Sequence, residues 1–106
     1  GVQTCALPIS ITCADIKAQS IIVETQGADY VFDQNYHLPT LNEAHQYIKQ
    51  NGHLYGIPSA TQMQSGVDMV ELQTLLLRKI EELMLYIIEQ DKRIKALENK
   101  EAYNIP

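Results

Sequence analysis

Between Asp68 and Leu97 apolar residues recur at alternating spacings of three and four. Met69, Leu76, Leu83 and Leu97 fall at one seam position and Ile80, Ile87 and Ile94 at the other, with Gln73 and Gln90 as polar interruptions. That repeat keeps a narrow stripe facing a partner helix, so the stretch predicts one long helix of about 45 Å that associates with others of its kind. Asp68 stands three residues before Glu71, an acidic cap followed by an acid in the first turn, and marks where the helix begins. From Leu72 to Ile88 apolar residues lie almost all round this helix, more than a two-stranded seam covers, whereas beyond Gln90 only Ile94 and Leu97 remain among charges. The proximal half therefore calls for a covering segment and the distal half for copies of itself. The alternative, a lone chain whose helix packs only on its own small domain, leaves most of the helix uncovered.

The rest of the chain gives weaker signals. Ser10–Glu24 carries alternating pairs (Ile11 and Cys13, Ile16 and Ala18, Ile21 and Val23) and reads as one or two short strands, with breaks at Asp15 and at Gln19–Ser20. Gln26–Pro39 is an irregular connector with an apolar knot at Tyr30, Val31 and Phe32. Thr40 and Glu43 form a T-x-x-E capping box, and Gly52 sits where a left-handed residue ends a helix. Leu41, Ala44, Tyr47 and Ile48 share one face of that second helix, which makes it the candidate cover for the long one. Asn51–Ala60 must turn tightly, and Ser59–Gln64 suits a brief helical turn before Ser65 and Gly66.

Composition narrows the function classes. A chain of 106 residues has room for one small domain, for which association is the natural remedy. A net charge of −5 leaves no basic footprint for nucleic acid, since the six basic residues between Asp68 and Glu101 are accompanied by eight acids. A leucine-zipper DNA binder needs a basic helix before its zipper, and here the thirty preceding residues hold only Lys49. No apolar run approaches a membrane span. His37, His45 and His53 stand eight apart with no ligand motif around them, so no metal or cofactor is expected. Glu81 and Glu82, adjacent on a helix, point apart and read as solvated-face residues rather than paired catalytic carboxylates. Ser59, Ser65 and Lys79 have no spacing that makes a dyad. Two cysteines, Cys5 and Cys13, set no disulfide framework.

Two stretches resemble known sequences. GVQTCALPI, residues 1–9, is similar to a translated short-read sequencing adapter and is set aside, with the native chain expected to continue upstream of Ser10. The run from GADYVFDQNYHLPTLNEAHQYIKQNG through HLYGIPSATQMQSGVDMVELQ into the long helix resembles the C-terminal region of bacterial tail fibre domain-containing proteins. These have a short strand segment, an ADYVF-like motif, a helix led by LP-S/T-L-x-E, a GHLPGIPSA-like loop and a terminal coiled coil. Tyr55 departs from that loop, where the family has proline or an acid. The SD-x-R-x-K signature of self-cleaving tail-spike chaperones is absent, so cleavage is not carried over.

The resemblance implies a non-enzymatic module that trimerises and caps a fibre, on a cell surface or a virion tail; charge and hydropathy add the expectation of no nucleic-acid partner and no membrane insertion. The expected fold is α+β, mainly α: the end of a fibre strand region (10–25), a cap segment with a short helix (26–67), a parallel, trimeric coiled-coil helix (68–101) and a tail (102–106). Leu76, Ile80, Leu83, Ile87, Gln90, Ile94 and Leu97 are the oligomerisation residues and Asp68 and Glu71 the helix cap. Isoleucine at one seam position and leucine at the other favours two strands, against the three that the resemblance implies. In a second reading the chain is an adhesin tip that contacts a host molecule or glycan through exposed loops, with Tyr36 and Tyr55 as candidate ligand contacts.

Overall fold

The computed structural model describes residues 9–103, with side chains through Glu101; the adapter-like residues 1–8, Cys5 among them, and residues 104–106 lie outside that range. In chain order it contains a 3₁₀ turn (Asp29–Phe32), α1 (Leu41–Asn51), α2 (Ala60–Met63) and α3 (Met69–Tyr103). At 35 residues α3 is about 52 Å long, and it dominates the shape. The radius of gyration is 21.0 Å, where a compact chain of this length would have about 13 Å.

The α+β expectation is overturned: among the described residues all regular structure is helical and no strand forms. Ser10–Glu24 is exposed irregular chain with bends at Ala14 and Gln19, and Ile11, Ile16, Ile21 and Ile22 are each at least two-thirds exposed. A β-rich composition makes a strand only where a second strand completes the ladder, and the described residues supply none.

The caps of α1 and α2 form where the residues place them, except that the expected T-x-x-E box of α1 closes on one side only, since among the described hydrogen bonds the Glu43 side chain returns none to Thr40. Thr40 Oγ1 accepts from the Glu43 N–H at 3.1 Å, and Gly52 ends α1 at φ 76°, its N–H donating to the Ile48 carbonyl. Ser59 and Gln62 cap α2 reciprocally, through Gln62 N–H to Ser59 Oγ (3.2 Å) and Ser59 N–H to Gln62 Oε1 (2.8 Å).

The cover of α3 is not the one expected. α1 contains no buried residue, and Leu41 and Ile48 remain 49 % and 42 % exposed. Of the regular elements described, only the 3₁₀ turn packs directly on α3, burying Ala28 and Val31 while Tyr30 and Phe32 stay largely exposed. From there the connector climbs α3. Thr25 and Thr74 hydroxyls meet at 2.7 Å, Tyr36 reaches Glu82, and the Tyr86 hydroxyl donates to the Pro39 carbonyl. α1 then runs beside α3 without its backbone packing closely on it, and a cleft opens at each end, one against Tyr86, Glu89 and Arg93 and one against Leu72 and Leu75.

Candidate functional site

At 100° per residue the environment of α3 divides into two sides. On one side, Thr74, Leu75, Arg78, Lys79, Glu82 and Tyr86 lie under the cap, all buried or half-buried. The opposite arc, about 180° wide, carries the seven seam residues together with Met69, Leu77, Met84 and Ile88. The six apolar seam residues are 42–65 % exposed, and Gln90 is exposed among them. Among the described residues nothing covers this face. Distally it is bordered by solvated pairs, Arg93–Glu89 (3.2 Å) and Lys95–Asp91 (2.9 Å), each worth a few tenths of a kcal/mol.

At the foot of the helix Asp68 Oδ1 accepts from the Glu71 N–H at 3.1 Å, and the Asp68 carbonyl takes the Leu72 N–H at 2.9 Å. The side-chain bond satisfies one orphan donor of the first turn, and the bond to the Asp68 carbonyl is the first of the regular α3 ladder.

The cap is held by a polar cluster rather than a greasy one. Glu82 is 1 % exposed. Its Oε2 accepts from the Tyr36 hydroxyl (2.6 Å) and the Tyr55 hydroxyl (2.7 Å), and its Oε1 accepts from Lys79 Nζ (3.0 Å). That ammonium also lies 3.1 Å from the centre of the Tyr55 ring, a cation–π contact. Tyr55 is itself packed edge-on by Tyr47. One carboxylate thereby ties the loop before α1 and the loop after it to a single turn of α3.

Burial pushes the Glu82 carboxyl up, but the hydrogen bonds from Tyr36, Tyr55 and Lys79 outweigh it and hold the group below the usual glutamate value. Burial, reinforced by the Glu82 charge, pushes Tyr36 up to about 12 and raises Tyr55 further. Burial lowers Lys79, with Glu82 opposing.

Two neighbours complete the cluster. Arg78 Nη2 donates to the Gly56 carbonyl at 3.4 Å, at a turn where Gly56 adopts φ +72° directly under the guanidinium; a side chain there would strike it. Glu81 lies near Asp29 of the 3₁₀ turn, and desolvation together with that second carboxylate raises its pKa.

Tyr36 and Tyr55, the candidate ligand contacts, therefore have their hydroxyls occupied within the chain. Glu82 is not a solvated-face residue, because the cap settles over it, and sequence reasoning missed Lys79 and Tyr86 as well. The available signal was an acid three residues after a lysine inside a stretch otherwise apolar all round, facing a cap with many tyrosines. Comparison of the chain with protein-family models, with curated proteins and with solved structures gave no match.

Proposed function

We propose that this chain is a non-enzymatic assembly module: three copies associate in parallel through α3, and the cap closes the outer side of each helix at the C-terminal end of a fibrous surface or tail-fibre-like protein. The observation that carries the proposal is the uncovered apolar face from Met69 to Leu97, on the side of α3 away from the cap. An apolar surface of this extent on a small chain marks an interaction site. Its width favours three copies over two, since a two-stranded seam covers only a narrow stripe and a helix with two neighbours covers a broader one. The resemblance to tail-fibre C-terminal regions supplies the fibre context. The adhesin reading is weaker because the hydroxyls of Tyr36 and Tyr55 are already engaged by Glu82.

Native mass spectrometry and sedimentation at micromolar concentration test the proposal. The expected result is a trimer whose melting temperature rises with concentration. Leu83→Ala, a change at a side chain 56 % exposed in the single chain, should lose about 2–5 kcal/mol per chain of assembly stability. A folded monomer that Leu83→Ala leaves unaltered would overturn the reading, and a clean dimer would overturn the chain number.

A further inference from the structure

Resting on the parallel assembly proposed above, we infer that the cleft between the cap and the start of α3 is the socket for Leu77 of a neighbouring copy, so that each cap grips the next helix as well as its own. Two columns of residues flank the seam: Leu72, Lys79, Tyr86 and Arg93 on one side, and Leu77, Met84, Asp91 and Glu98 on the other. In a parallel coil the first column of each helix faces the second column of its neighbour. In register, Leu72 meets Leu77, Lys79 meets Met84, Tyr86 meets Asp91 and Arg93 meets Glu98. Apolar residues face each other at the proximal end and opposite charges at the distal end. Reversing one helix would instead set Leu77 and Met84 against Glu98 and Asp91, and Leu72 against Arg93, so the columns select the parallel orientation.

The cap sits on the edge of α3 that carries the first column. Leu72 and Leu75 form the floor of an open cleft of about 630 Å³ walled by Tyr47, Ile57, Pro58 and Met63. The cleft lies where the backbones of α1 and α3 stand apart. Leu77 is 40 % exposed and lies about 140° round α3 from Leu72, so only a second copy can bring it to this cleft. A parallel neighbour sets Leu77 beside Leu72, at the cleft's floor. The same register carries Met84 past the Tyr55 ring and Lys79, where a methionine packs well.

The experiment uses the full chain with Cys5→Ser and Cys13→Ser, to which Ile57→Cys and Leu77→Cys are added together. Within one chain these positions lie on opposite sides of a helix about 10 Å thick, beyond the reach of a disulfide. The bond can therefore form only between copies, and oxidation should give covalent dimers and closed trimers on a non-reducing gel. Either cysteine alone should give no trimer. A trimer by native mass spectrometry that forms no bond between copies overturns the socket and leaves the assembly reading standing; a monomer overturns both. A second measurement tests the register itself. Arg93→Glu should lower the melting temperature, and adding Glu98→Arg should restore it. These positions, five apart on one helix, do not face each other, so absence of rescue would refute the column pairing on which the socket depends.

Discussion

Replacing Glu82 by glutamine removes one charge from the most buried side chain of α3 while leaving its shape almost unchanged. Tyr36 and Tyr55 keep an oxygen to donate to, but an uncharged one, and a hydrogen bond to a charged group is worth about 1 kcal/mol more than a neutral one. Lys79, 11 % exposed at its side chain, loses its counterion and faces amide N–H groups instead. Breaking one partner of a buried pair costs about 3–5 kcal/mol, and Glu82→Gln should fall in that range, a large part of the stability of a domain this size. Lys79→Met added to Glu82→Gln should recover about 2 kcal/mol of this, because methionine keeps the aliphatic packing on the Tyr55 ring without stranding a charge. The chain contains no tryptophan, so near-ultraviolet circular dichroism reports the tyrosines of the cap while the far-ultraviolet signal reports α3. In urea at fixed chain concentration, the near-ultraviolet transition of Glu82→Gln should move to lower denaturant than the far-ultraviolet one. A loss under about 0.5 kcal/mol, or strict additivity of the two substitutions, would refute the claim that this carboxylate holds the cap.

The same cluster fixes an alkaline limit. A tyrosine whose folded pKa stands above its unfolded value near 10 contributes stability that is complete below that value and is lost as pH rises through the folded one. With Tyr36 at about 12 and Tyr55 and Tyr86 also raised, the cap should loosen above pH 10, and phenolate absorbance should titrate later in the native chain than in urea. Coincident curves would count against the buried tyrosine–carboxylate contacts. At the foot of α3, Asp68→Ala should cost about 1 kcal/mol without altering the number of chains by native mass spectrometry; an unchanged urea midpoint would show that the Asp68 cap is energetically idle.

The long helix and the ends of α1 were legible because their signals are local. A heptad repeat, a T-x-x-E box and a glycine after the last turn each act within a few residues of where they are read. The cap–helix contact was not legible, because it joins Tyr36 and Tyr55 to Glu82 across 46 and 27 positions. No periodicity encodes that pairing. Residue types misled in both directions: isoleucine-rich Ser10–Glu24 reads as strand but has no partner, and Glu82 reads as surface but lies under two loops. The period groups Leu41, Ala44, Tyr47 and Ile48 on one face of α1, yet only Ala44 and Tyr47 are half-buried there, because a period does not say what a face packs on.

The path of the connector bears on how the chain carries load. From Thr25 to Pro39 it rises beside α3, touching Thr74 first, then Glu82, and Tyr86 last. A pull on the N-terminal side, directed along the helix axis away from the cap, acts on all of these contacts together instead of peeling them one after another. Attachments loaded side by side share the force, and rupture then requires several to fail at once. A short hydrogen-bonded cluster arranged this way is loaded in shear rather than unzipped, and its resistance to a pull depends on the direction of that pull as well as on its equilibrium stability.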